Sequence, residues 1–185
     1  MQAGRKLAAY PQFAEAKRVV DVGGGSGGVS IALCEEHPRL EATIVDLPSV
    51  VPIAIDMAKE AGLADRVTGM TANIFENPLP DGFDVATARA LFQVLSVDRC
   101  RKAAKNIAAA LSPGGTLFVI GFVTDDSRTS PDFAVGMNTF FLNAFDEGRA
   151  YTELQYRSWL NDAGFIDVVR SPFLAGNSLI VAQKA

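Results

Sequence analysis

Nine residues constrain this chain more than any others: Val20-Asp21-Val22-Gly23-Gly24-Gly25-Ser26-Gly27-Gly28. Arg18–Val22 is a β-branched run that stops at Gly23, and a helical pattern follows over residues 26–36. It ends at His37-Pro38, because proline disfavours helix at the residue before it. Glycines crowded into a strand-to-helix turn let a ligand approach the bare backbone and allow positive φ. Such a ligand would lie at the carboxyl ends of parallel strands.

The rest of the chain alternates in the same way. Strands are expected at residues 42–45, 66–71, 83–88 and 116–123, the last apolar almost throughout, as for a strand covered on both faces. Ser49 reads as an N-cap, with Val50, Ile53, Ala54, Met57, Ala58 and Ala61 on one helical face and Gly62 as the left-handed cap. Cys100, Ala104, Ile107 and Ala108 form the stripe of the next helix, ended by Ser112-Pro113-Gly114-Gly115. Thr152 and Gln155 have capping-box spacing, and Gly164 stops the helix they begin. Residues 165–169 and 179–183 form two last strands with no helix between them. The expected architecture is a Rossmann-like α/β sandwich: a mostly parallel sheet of seven strands with an antiparallel C-terminal hairpin.

Gly23-x-Gly25-x-x-Gly28 matches the dinucleotide fingerprint formally. Asp21 argues the other way, since a carboxylate beside the loop ill suits a pyrophosphate and suits a cationic amino-acid group. Asp46, ending the second strand, is placed to accept both hydroxyls of a ribose, a role that does not choose between nucleoside ligands. Seventeen Lys and Arg against 21 Asp and Glu, net charge −4, leave no basic excess for nucleic acid. The longest apolar run is too short to span a bilayer. Residues 1–6 have no hydrophobic segment behind them, so no secretory signal is expected. Two cysteines make no disulfide framework, and the default setting is a reducing cytoplasm. No cluster has metal-ligand spacing, and there is no Gly-x-Ser-x-Gly elbow.

Asp21-Val22-Gly23-Gly24-Gly25-Ser26-Gly27, then Asp46-Leu47-Pro48, then Leu111-Ser112-Pro113-Gly114-Gly115, in that order, resemble the S-adenosylmethionine-dependent O-methyltransferases. Within them the resemblance is to the plant caffeate-type and bacterial small-molecule enzymes, including the acetylserotonin and hydroxyneurosporene ones. It runs through Gly148-Arg149, Thr152 and Ala163-Gly164-Phe165. It implies S-adenosylmethionine as cofactor, with Asp21, Gly23, Gly25 and Ser26 at the methionine portion. Asp46 would take the ribose, and Leu47, Asn73 and Ile74 would lie near the adenine. Asn73 stands where the family carries an aspartate. Arg89 follows the fourth strand, where the family often has a basic residue close to the methionine portion; an ordinary ion pair is the alternative. The resemblance also implies a small-molecule acceptor, and full-length homodimers built by an N-terminal helical domain. Residues 1–16 would be the end of a linker helix, and 17–185 the catalytic domain.

One part of the pattern is broken. The family's Leu-His-Asp-Trp segment, whose His takes a proton from the acceptor hydroxyl, reads Leu91-Phe92-Gln93-Val94 here. Gln93 stands at the His position, and an amide is no base at neutral pH. Gly121 and Phe122 occupy the region of the carboxylate that orients the His. Three readings remain open: methyl transfer by proximity to an already acidic phenol or enol, transfer to carbon or another nucleophile, and retention of the cofactor for different chemistry such as hydroxylation or decarboxylation. Phe92, Asn138 and Phe141 are expected at the acceptor, with Phe133, Phe140 and Phe145 as further apolar wall; core packing is the alternative for each Phe.

Overall fold

A computed structural model describes residues 1–185. Two short helices, α1 (Gln2–Ala8) and α2 (Pro11–Glu15), precede β1 (Arg18–Val22). There follow α3 (Gly28–Glu36), β2 (Glu41–Asp46), α4 (Val51–Glu60), β3 (Val67–Thr71), β4 (Phe83–Arg89), α5 (Val97–Ala110) and β5 (Leu111–Gly121). The remainder is β6 (Val123–Thr124), α6 (Asp132–Ala144), β7 (Tyr151–Thr152), α7 (Glu153–Asp162), β8 (Phe165–Pro172) and β9 (Ser178–Lys184).

The main sheet has seven strands in the order β3-β2-β1-β4-β5-β9-β8. The first five are mutually parallel. β9 is antiparallel to both β5 and β8, so the expected C-terminal hairpin sits at one edge. A two-stranded ribbon, β6 with β7, was not foreseen; strands so short carry no periodic signal in sequence.

The sheet buries a core on each face. On one side Phe92, Ile107, Trp159 and Leu160, from α5, α7 and the turn after β4, pack on Phe83 and Leu117. On the other, Leu33 and Ala54, from α3 and α4, pack on Ile44 and Phe118. Residues 1–16 contribute to this second core: Leu7 and Phe13 are fully buried, and the Phe13 and Phe118 rings lie 4.9 Å apart. Where the end of one linker helix was expected, the structure has two helices seated against the domain.

Several boundaries differ from expectation. Ser49 does not cap α4, which starts at Val51 without a side-chain cap. The Leu47 carbonyl accepts from both Val50 N and Val51 N, so the turn tightens on itself. Ile53 and Met57 are exposed, and Val51 and Ile55 pack instead beside Gly69 of β3. β5 begins at Leu111, paired with Phe83 across an irregularity before Val85, so the Ser112–Gly115 stretch belongs to the strand. The capping box of α7 has both bonds: Gln155 N donates to Thr152 Oγ1 at 3.3 Å, and Thr152 N to Gln155 Oε1 at 3.0 Å. No helix is long and apolar enough to cross a membrane.

Candidate functional site

The glycine turn is folded between β1 and β2 by its own backbone. Gly23 N donates to Val45 O at 2.8 Å and Gly27 N to Gly24 O at 3.0 Å. The Asp46 carboxylate fixes the rest: Gly25 N donates to Oδ2 and Leu47 N to Oδ1, each at 2.8 Å. Each carboxylate oxygen keeps acceptor capacity for a further hydroxyl. Two glycines are needed for different reasons. Gly25 has φ +58° and no atom within 4 Å of where a Cβ would sit, so the space above it is open. Gly27 has φ +77°, and a Cβ there would meet Ile44 Cδ1 at 2.7 Å.

Asp21 lies beneath this turn, only 1% exposed. Thr87 Oγ1 donates to its Oδ1 at 2.7 Å and Ser30 Oγ to its Oδ2 at 2.9 Å. Burial pushes its carboxyl pKa up; the Thr87 and Ser30 hydrogen bonds pull it down, and the nearby Asp46 adds to the rise. Each oxygen thus accepts one side-chain hydrogen bond and keeps a second lone pair, and Asp21 borders the polar space above the turn.

Two cavities open at the carboxyl ends of β1, β2 and β4. One, of about 690 Å³, is polar and lined by Asp21, Gly23, Gly25, Ser26 and Arg89 together with the first residues of α1. The other, of about 270 Å³, is mostly apolar and lined by Asp46, Leu47, Asn73, Ile74 and Leu91, again with Arg89. Gly23 and Arg89 border both. Arg89 joins none of the ion pairs of the molecule, so the ordinary ion-pair reading does not apply to it. All nine residues expected around a cofactor therefore fall in these two adjoining spaces. Sequence reasoning missed the start of α1, which carries no motif, and Val94 and Leu95, which belong to the turn after β4.

The residues expected at the acceptor are less well gathered. Phe92 is a correction: it is 1% exposed, its ring lies 5.5 Å from Tyr156, and it belongs to the core. The 3₁₀ turn Phe92–Val94 directs it inward. Asn138 Oδ1 already accepts from Ala150 N at 2.8 Å, so its oxygen braces the chain before β7. Phe141 is 2% exposed and packs between Phe140, Phe145 and Phe122; Phe133, Phe140 and Phe145 are exposed. Gln93 is buried, and its Oε1 accepts from Phe122 N at 3.2 Å. Its carbonyl accepts from Arg149 N at 2.9 Å. A Cβ on Gly121 would stand 3.0 Å from Gln93 Oε1, so the amide fills space that a side chain at 121 would claim. His37 caps α3 and contacts Ala8 O at 3.0 Å, away from the cavities. No group of three or more His, Cys, Asp or Glu is arranged to hold a metal ion.

Comparison with known proteins agrees with this geometry. The family model for the O-methyltransferase domain matches residues 1–166. The chain is 34% identical over 183 residues to 3-hydroxy-5-methyl-1-naphthoate 3-O-methyltransferase of Streptomyces sahachiroi, covering 98% of this chain and 53% of that protein. It is 31% identical over 181 residues to the tetracenomycin polyketide synthesis 8-O-methyl transferase TcmO of Streptomyces glaucescens, with the same coverage. The chain thus spans about half the length of the curated relatives it matches. Among solved structures, the S-adenosylmethionine-dependent methyltransferase SibL superposes with TM-score 0.87 at 30% identity, over 99% of this chain and 55% of that one. Mitomycin 7-O-methyltransferase MmcR gives TM-score 0.89 at 27% identity, over 100% and 53%. The chain belongs to the O-methyltransferase domain family.

Proposed function

We propose that the chain binds S-adenosylmethionine and directs its methyl group to a phenol or enol oxygen of a small aromatic or polyketide-like molecule. The observation that carries this is the paired cleft: a polar space and an apolar one meeting at Gly23 and Arg89, with Asp46 between the glycine turn and the apolar side. The cofactor has the same division, an amino-acid end, a ribose and a flat adenine, and the residues present fit it.

Ser26 and the open backbone at Gly25 would hold the amino-acid end, with Arg89 toward its carboxylate. The buried charge of Asp21 favours a cation above it. Asp46 would accept the ribose hydroxyls while still holding Gly25 N and Leu47 N. Leu47, Ile74 and Leu91 would enclose the adenine, and the Asn73 amide would meet its polar edge. When bound, the cofactor supplies an electrophilic methyl carbon on sulfur. The chain supplies orientation: positioning alone can lower a barrier by about 7–11 kcal/mol in the best cases.

The relatives' names support a carbocyclic or polyketide acceptor. A second reading, cofactor binding with non-methylating chemistry, is favoured by the absence of a base at Gln93 and Gly121. On the resemblance we also propose that the whole protein is a cytoplasmic homodimer joined through an N-terminal helical domain that is not part of residues 1–185.

Calorimetry with S-adenosylmethionine, S-adenosylhomocysteine and NAD tests the cofactor reading. Asp46→Ala should weaken both nucleosides at least ten-fold, because it removes the ribose acceptor and releases the Gly25 and Leu47 amides. Preferential NAD binding, or unchanged affinity in the variant, would overturn it. Labelled cofactor with a panel of phenols separates transfer from binding alone.

A further inference from the structure

Gly28, the last glycine of the formal dinucleotide fingerprint, opens α3 with no positive φ. A Cβ on it would stand 3.2 Å from Met1 N, where α1 starts. Gly4, inside α1, faces the same contact from the other side. It is buried, its φ is also ordinary, and a Cβ there would lie 2.7 Å from both Ala32 Cβ and Val29 O. A glycine inside a helix lowers stability relative to alanine. At these two positions the missing side chains let α1 and α3 touch backbone to backbone.

The far end of α1 is fixed independently. Leu7 is fully buried, His37 Nε2 donates to Ala8 O at 3.0 Å, and Lys6 lies over the Phe173 ring at 4.7 Å. The contacts of Gly4 and Gly28 therefore set how closely the first turn of α1 approaches the cleft. That turn is a wall of it: Met1, Gln2 and Ala3 border the polar cavity of about 690 Å³, and none of them borders the apolar one. Carbon atoms in ordinary contact lie about 3.5–4.0 Å apart, so a methyl group on Gly4 would lift this wall by about 1 Å. Gly4 and Ala32 border neither cavity, so a change between them reaches a ligand only by moving α1.

We propose that Gly4 and Gly28 are positioning residues for the cofactor: by seating α1 on α3 they set its first turn against the amino-acid end of S-adenosylmethionine. The site thereby distinguishes nucleosides that carry an amino-acid chain from those that lack one. This deepens the reading given above and rests on it. The two cavities meet at Gly23 and Arg89, so a nucleoside in the apolar one does not touch α1. An amino-acid chain in the polar one lies between the glycine turn and Met1, Gln2 and Ala3. Asp21 and Arg89 offer that chain opposite charges, and the closeness of α1 shields both interactions from water, which strengthens them.

The test compares two ligands on the full-length protein by titration calorimetry. One is S-adenosylhomocysteine; the other is 5′-methylthioadenosine, which has the same nucleoside and no amino-acid chain. Gly4→Ala should bind S-adenosylhomocysteine about ten- to a hundred-fold more weakly, and 5′-methylthioadenosine within about two-fold of wild type. Amide hydrogen exchange on the wild type needs no variant, and decides alone if Gly4→Ala does not fold. S-adenosylhomocysteine should slow exchange over residues 2–8, and 5′-methylthioadenosine should leave it unchanged. Wild-type affinity for S-adenosylhomocysteine in folded Gly4→Ala would overturn the proposal, as would equal loss of both ligands. Exchange over residues 2–8 that S-adenosylhomocysteine does not slow, or that both ligands slow alike, would overturn it too. Failure of the wild type to bind either nucleoside would instead defeat the cofactor reading.

Discussion

Gly25 and Gly27 stand two residues apart in one turn, both left-handed, yet substitution should separate their roles. At Gly25 a Cβ meets nothing within 4 Å, so Gly25→Ala pays only for φ +58°. That strain is about 1–2 kcal/mol, or a fall of about 2–8 °C in Tm for a chain of this size. The new methyl group projects into the larger cavity, where a bound cofactor needs the space. Affinity for S-adenosylhomocysteine should drop about ten-fold or more, by analogy with overpacking of a close contact. Gly27 does not border the cavities, and there a Cβ would lie 2.7 Å from Ile44 Cδ1. Strain and overpacking together reach about 2–5 kcal/mol, or a Tm loss of about 10 °C, while the folded fraction should bind nearly normally. Thermal unfolding and titration calorimetry on both variants measure the two quantities. Wild-type affinity in Gly25→Ala, or lost affinity with an unchanged Tm in Gly27→Ala, would refute the assignment.

Three further outcomes follow from charged and buried groups. Because the folded-state pKa of Asp21 is raised above 3.8, its contribution to stability is present below that value and is lost as pH rises through the raised one. Asp21→Asn should therefore raise Tm at neutral pH, converge with wild type below pH 3.8, and weaken S-adenosylmethionine and S-adenosylhomocysteine alike, since both carry the same ammonium group. Arg170 donates to Ser178 Oγ at 3.0 Å, Asp125 Oδ1 at 2.6 Å and Val123 O at 2.8 Å, tying β8 and β9 to the segment around β6. Its carboxylate partners are partly exposed, so Arg170→Met should cost about 2–3 kcal/mol in urea unfolding, below the range for a fully buried pair; an unchanged midpoint would refute this. Burial holds the Cys34 thiol at about 11 and Cys100 at about 12, so neither should react with a thiol-specific dye at neutral pH until the protein is unfolded.

What sequence could reveal followed the strength of local chemistry. The glycine turn and Asp46 were legible because each does its work within a few residues: backbone geometry in one case, a strand-end carboxylate in the other. Thr152 and Gln155 were legible for the same reason. Ile53 and Met57 misled, because a helix face is chosen by what lies across from it, and Gly69 drew Val51 and Ile55 inward instead. Phe92 carries no mark that separates a pocket wall from a core residue; only the Tyr156 ring beside it decides. The missing base at Gln93 was visible from residue type alone. The direction of its amide was not, since that depends on Phe122 N, which lies 29 positions away.

The strand order has a consequence for how the molecule comes into being. β9 is made after β5 and β8, yet it lies between them. Until it has been synthesised, Leu117, Val119 and their neighbours offer a long apolar ribbon with one row of amides and carbonyls unmet. The nascent protein spends that interval open to pairing with another molecule, and the insertion of β9 between β5 and β8 is the step at which the danger closes.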